Sequence, residues 1–122
     1  MKNKSIIITG AASGMGAASA RKFSKSGANV TIVDINEDLA FQVANEIETA
    51  DPIIGDIGDS SFCNKVIEST IERYGKVDVL VNCAGTILRA NAENTTDDDW
   101  HRVMSTNVNG LFFMSRSAIK PM

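Results

Sequence analysis

Thr9-Gly10-Ala11-Ala12-Ser13-Gly14-Met15-Gly16 follows directly on the apolar run Ile6-Ile7-Ile8. The pairing of such a run with three spaced glycines predicts a turn from a first strand into a first helix. Gly10 would allow a sharp turn at the strand's carboxyl end, Gly14 a close approach of backbone N–H groups to a pyrophosphate, and Gly16 tight packing of helix on sheet. Unpaired amides and the positive end of the helix dipole then favour an anion without any lysine. A nucleoside-triphosphate loop would end in Gly-Lys-Ser/Thr, whereas this one reads Gly14-Met15-Gly16, so the ligand expected is a dinucleotide. Three glycines alone also suit a turn with no ligand. The remainder of the chain decides between the two.

The chain has 122 residues, sufficient for one domain spanning 1–122 and too few for two. Its 43% hydrophobic and 22% charged residues fall in the ordinary globular class. A net charge of −3 provides no basic surface for nucleic acid. No apolar run approaches the roughly 20 residues of a membrane span. The opening Met1-Lys2-Asn3-Lys4-Ser5 leads into three isoleucines only, too short for a signal peptide, and the cytoplasm is the location expected. Cys63 and Cys83 form no CxxC pair and are expected to be free thiols. With His101 the single histidine and no carboxylate cluster at ligand spacing, no metal site is expected.

Strand and helix patterns alternate along the chain. Residues 4–9 read as a strand covered on both faces. From Gly14 to Ser26 a helix would turn Ala17, Ala18, Ala20 and Phe23 to the sheet and end at Gly27. Asn29 to Asp34 is a second strand ending in an acid. Asn36 should cap a second helix with the stripe Leu39, Val43 and Ile47 beside Ala40 and Ala44. Ile53 to Ile57 reads as a short third strand. Asp59 should cap a third helix with Cys63, Val66, Ile67, Thr70, Ile71 and Tyr74 inward and Gly75 at its end. Val77 to Asn82 is a fourth strand running into Cys83-Ala84-Gly85. After a loop from Arg89 to Asp99, Thr96 and Asp99 resemble a capping box for a fourth helix carrying Trp100, Val103, Met104, Asn107, Leu111, Met114 and Ala118. Such alternation with right-handed crossovers gives an α/β, Rossmann-type doubly wound parallel sheet.

In this order the residues resemble the short-chain dehydrogenase/reductase family. Five features agree in register: Thr9-Gly10-x-x-x-Gly14-x-Gly16, Asp34 after the second strand, Asp56-Ile57 after the third, Asn82-Cys83-Ala84-Gly85 after the fourth, and Asn107 in Trp100-x6-Asn107-x-x-Gly110. Cys83 departs from the usual Asn-Asn-Ala-Gly. The resemblance implies strand order 3-2-1-4, truncated after the fourth strand and fourth helix, and hydride transfer between NAD(H) and an alcohol or carbonyl. It implies a cofactor site made of Gly10, Ser13, Gly14, Met15, Gly16, Asp34, Ile35, Asp56, Ile57, Asn82, Ala84 and Gly85. Asp34 lies 18 residues after Gly16, where its carboxylate would accept ribose hydroxyls and repel a phosphate. Met15, Ile35 and Asn36 provide no cation, so NAD is expected over NADP.

The family's serine and Tyr-x-x-x-Lys are not in this sequence, whose one tyrosine, Tyr74, is followed four positions on by Asp78. Asn107 is the sole member of the catalytic set, implied by resemblance to interrupt helical hydrogen bonding and hold a water; its other reading is a polar residue at a helix bend. A cofactor-binding half with little activity alone is therefore expected. The alternative is a non-catalytic NAD-binding module that pairs with another chain. A methyltransferase shares the glycine loop and the acid but has no use for Asn82 to Gly85 or Asn107. A fourth strand left as an edge beside the apolar Val79, Leu80 and Val81 predicts edge-strand association, and the resemblance implies a homo-oligomer through the fourth helix, with Trp100, Met104, Leu111, Phe112 and Phe113 as candidate contacts.

Overall fold

The first strand, β1 (Ser5–Thr9), is buried along its whole length, as suits an apolar run in the middle of a parallel sheet. In this computed structural model, which describes residues 1–49 and 52–122, β1 pairs in parallel with β2 (Asn29–Asp34) and β4 (Val79–Asn82). A two-residue β3 (Ile53–Ile54) joins β2, giving the order β3-β2-β1-β4. The fold and strand order expected from the sequence are the ones observed.

Helices cover both faces, and the two-residue period of β1 sorts its isoleucines between them. Ile6 and Ile8 point to the side packed by α1 (Gly14–Lys25) and α2 (Glu37–Glu46), against Ala17, Ala20, Ala40 and Val43. Ile7 points to the other side, among Cys63, Val66 and Ile67 of α3 (Ser60–Tyr74) and Met114 and Ala118 of α5 (Leu111–Ile119). All three isoleucines are fully buried, worth roughly 1.5–3 kcal/mol each relative to exposure. Alanines on α1 and α2 let those helices lie close to the sheet.

The helix ends follow from the residues that stand there. Asn36 Oδ1 accepts the Leu39 amide at 3.1 Å, and Asp59 Oδ1 accepts the Ser61 amide at 2.8 Å. Hydrogen bonds from the Ser61 hydroxyl and amide hold the Asp59 carboxyl below the usual carboxylate range. Gly75, left-handed at φ 77°, ends α3 by donating to Ile71 O.

Several expectations need correction. Ala18 and Leu39 face solvent, because the helical stripes are centred one position away, on Ala17 with Ala20 and on Ala40 with Val43. The third strand stops at Ile54, since Gly55 and Asp56 bend away toward α3. The fourth begins at Val79, with Asp78 drawn into ion pairs with Lys4 and Lys76. Within the loop before the fourth helix, Ala92–Asn94 form a 3-10 turn. The fourth helix itself is one rod in three parts: α4 (Asp97–Met104), a π segment (Ser105–Gly110) and α5. Trp100 and Leu111 on that rod are about half exposed, so its buried stripe is narrower than the periodicity suggested.

Candidate functional site

A cleft of about 570 Å3 opens at the carboxyl ends of the strands. It lies where β1 and β4 meet, the point at which the strand order reverses and open α/β sheets bind ligands. Gly10 forms its floor. At φ 64° a side chain would be strained, and a Cβ would stand 2.7 Å from Ala84 Cα and N, so the β1 and β4 loops interlock only around glycine. A Cβ on Gly16 would collide with the Gly10 carbonyl. Gly14, at φ 52°, differs: a Cβ there would meet nothing within 4 Å, leaving room against the loop.

The start of α1 faces this room and carries no acid of its own. Ser13, its N-cap, makes no capping hydrogen bond, and the first turn carries no acid. In α2 and α4 the first turns hold acids and the caps are filled. The positive end of α1 thus has no compensating charge from its own first turn.

Asp34 bridges two loops beside that helix. Its Oδ2 accepts the Ala12 amide at 3.0 Å and its Oδ1 the Asn36 amide at 2.9 Å. Each oxygen retains a lone pair for a further donor. Asp56 accepts the Gly58 amide at 2.8 Å, and Ile57 is pressed against Gly110 of the π segment, where any Cβ would strike it. Ala84 donates its amide to Thr9 Oγ1 at 3.2 Å.

Of the residues expected at a cofactor site, Gly10, Ser13, Gly14, Met15, Gly16, Asp34, Ile35, Asp56, Ile57, Ala84 and Gly85 line this one cleft. Asn82 does not. It shares a face of β4 with Leu80, so its Nδ2 turns toward α5 and donates to Ser115 Oγ at 3.3 Å, while Oδ1 is buried without a partner. Asn107 lies just behind the lining. Its Oδ1 accepts the Thr86 amide and its Nδ2 donates to the Thr86 carbonyl, both at 2.8 Å. It sits in the π segment, a break in regular helix of the kind common at functional sites.

Val33, Gly55, Arg102 and Thr106, which the sequence reading did not single out, also line the cleft, together with Cys83 of the fourth-strand motif and Thr86 beyond it. Arg102 and Thr106 are four apart on one rod and so share a face, a signal the sequence carried. Arg102 pairs with Asp99, whose carboxyl is held below its ordinary range by the Thr96 hydroxyl and then by Arg102. Tyr74 is at the opposite pole of the sheet: its hydroxyl is 3.3 Å from Thr49 Oγ1, which donates to Val30 O at the start of β2.

The model for the short chain dehydrogenase family matches residues 4–122. The chain belongs to this family. As a short-chain dehydrogenase it is 34% identical to an uncharacterized oxidoreductase of Thermotoga maritima, covering 99% of this chain and 49% of the relative. It is equally, 34%, identical to an NADP-dependent (R)-specific alcohol dehydrogenase of Lentilactobacillus kefiri, over 100% and 50%. Its fold superposes with a TM-score of 0.92 on a 3-ketoacyl-(acyl-carrier-protein) reductase of Brucella melitensis complexed with NADH, 35% identical, over 98% of this chain and 50% of that one. The chain spans about half the length of the curated relatives it matches. Among the described residues no helix is long and apolar enough to cross a membrane.

Proposed function

We propose that this short-chain dehydrogenase binds a nicotinamide dinucleotide in the cleft, NAD in preference to NADP, and serves an oxidoreductase acting on an alcohol or carbonyl. The observation that carries this is the Asp34 carboxylate, fixed by the Ala12 and Asn36 amides beside the acid-free start of α1. The backbone at Gly14 and the N-terminus of α1 would hold the diphosphate, and Asp34 the adenosine ribose hydroxyls. Asp56 and Ile57 would meet the adenine; Ala84 and Gly85 would flank the ribose.

The residues fit such a group: Gly14 leaves space where a phosphate needs it, and Gly10 and Gly16 keep side chains out of the turn. The NADH complex of the Brucella reductase supports the ligand class. Because the Lentilactobacillus relative is NADP-dependent, the preference for NAD rests on Asp34. The one cation on the cleft wall among the described residues, Arg102, stands with Thr86 beyond β4. In the sheet β1 separates β4 from β2, which ends in Asp34, a displacement of about 10 Å.

When bound, the nicotinamide donates or accepts hydride. Proton transfer at the substrate needs a tuned donor, and residues 1–122 offer no Tyr-x-x-x-Lys, with Tyr74 at the wrong pole. Asn107 is proposed to hold the rim through Thr86 rather than to exchange a proton.

Titration calorimetry with NAD and NADP tests this. NAD should bind at least about tenfold more tightly, a difference near 1.4 kcal/mol, and Asp34→Ser should erase the gap. Equal binding of the two by the native chain would defeat the preference; a folded chain binding neither would defeat the cofactor reading.

A further inference from the structure

We infer that Arg102 is a positioning residue of the cleft, setting the place of the Gly85–Thr86 rim against which the dinucleotide rests; this depends on the cofactor reading above. Residues 83–91 have no regular secondary structure; the Ala84 amide donates to Thr9 and Ala84 packs on Gly10, both at the start of the segment. The rim is instead held from the fourth helical rod. Asn107 grips both backbone groups of Thr86, and Arg102 Nη1 reaches the Thr86 hydroxyl at 3.4 Å.

Arg102 is itself aimed. Its Nη2 donates to Asp99 Oδ1 at 3.2 Å, and Asp99 is fixed by the Thr96 hydroxyl on Oδ2 at 2.9 Å and by its own amide on Thr96 Oγ1 at 3.1 Å. The two arms of one planar guanidinium therefore link the helix cap to the rim in a fixed fork geometry, which the point charge of a lysine on its flexible stem does not reproduce. The side chain is half exposed, and exposed ion pairs contribute little to global stability. Its effect should appear at the rim rather than in the melting of the fold.

The test uses the 122-residue chain, NAD titration calorimetry, amide exchange at Thr86 and thermal melts. Arg102→Gln and Thr86→Val should each weaken NAD about threefold to tenfold, as loss of one hydrogen bond does, and should speed Thr86 exchange. Thr86→Ser should restore both, Arg102→Lys should not, and the double variant Arg102→Gln/Thr86→Val should be no worse than either single one. NAD affinity within twofold of native for Arg102→Gln, independent losses that multiply, or a collapse of the melt would overturn the inference. A native chain that melts cooperatively and binds no dinucleotide overturns the cofactor reading first and this inference with it; native binding with an unaffected Arg102 variant overturns this inference alone.

Discussion

Asn107 holds Thr86 by both ends of its carboxamide, accepting from the backbone N–H and donating to the backbone carbonyl, each at 2.8 Å. A residue inside a helical rod thereby does for a loop what a neighbouring strand would do. The π segment around Asn107 places the side chain at the height of the rim. Asn107→Asp keeps the acceptor, removes the donor and sets an oxygen against the Thr86 carbonyl. NAD affinity should fall about fivefold or more, read by calorimetry; unchanged affinity would mean that the rim does not touch the ligand.

Gly10 and Gly14 should fail in different ways. Alanine at Gly10 meets Ala84 backbone at 2.7 Å as well as an unfavourable φ, so its melting temperature should drop sharply, with a cost above the roughly 1–2 kcal/mol of the left-handed conformation alone. Alanine at Gly14 meets open space. It should fold with only the conformational cost and yet lose NAD binding, because its methyl enters the space assigned to phosphate. Melts and calorimetry on both variants check this.

The two thiols should separate cleanly on alkylation. Cys63 is buried in the core and donates to Ile57 O at 3.2 Å; burial, with Asp59 and Asp56 nearby, pushes its pKa up to about 11. Since the thiolate is the nucleophile, it should stay unmodified at pH 8. Cys83 lies half-buried in the cleft wall and should react. NAD should slow that reaction, as peptide mapping by mass spectrometry would report.

Asp78 ties the edge of the sheet to its first strand. The Lys4 ammonium, then the Ser5 amide and the Lys76 ammonium, hold its carboxyl well below the usual carboxylate range. A depressed folded pKa contributes stability that is present above the unfolded value of about 3.9 and is lost as pH falls below it. Asp78→Asn should therefore melt earlier than native at pH 7, and the difference should shrink below about pH 4. A constant difference across acid pH would exclude this linkage.

Among the described residues β4 pairs only with β1, and its open edge lies near a rod that exposes Trp100, Leu111 and Phe112 by about half. Unpaired strand edges beside apolar surface invite pairing. Sedimentation velocity should show concentration-dependent association, reduced in Phe112→Glu. A monodisperse monomer at high concentration would refute it.

The strand-and-helix order was legible because periodicity is local: Ile6-Ile7-Ile8, the stripe of α3 and the caps at Asn36 and Asp59 depend on residues a few positions apart. The glycine turn and Asp34 were legible for the same reason, since one βαβ unit brings them together. The spacing of Arg102 and Thr106 showed that they share a face but not that this face meets the cleft, because that depends on a rod crossing the 55–58 loop, with Ile57 packed on Gly110. The direction of the Asn82 side chain is likewise not specified by its motif: strand alternation turns it to α5 and Ser115.

Sequence by itself determined the alternating elements, the sorting of apolar side chains between two faces, and the acid and glycines at the first two strand ends, because hydrophobic period and backbone conformational preference act over short spans. Tertiary structure alone decided which distant groups meet: that Gly10 interlocks with Ala84, that Asn107 and Arg102 converge on Thr86, and that Tyr74 lies at the far pole. Those contacts depend on how helices and loops dock in space, which no local pattern specifies.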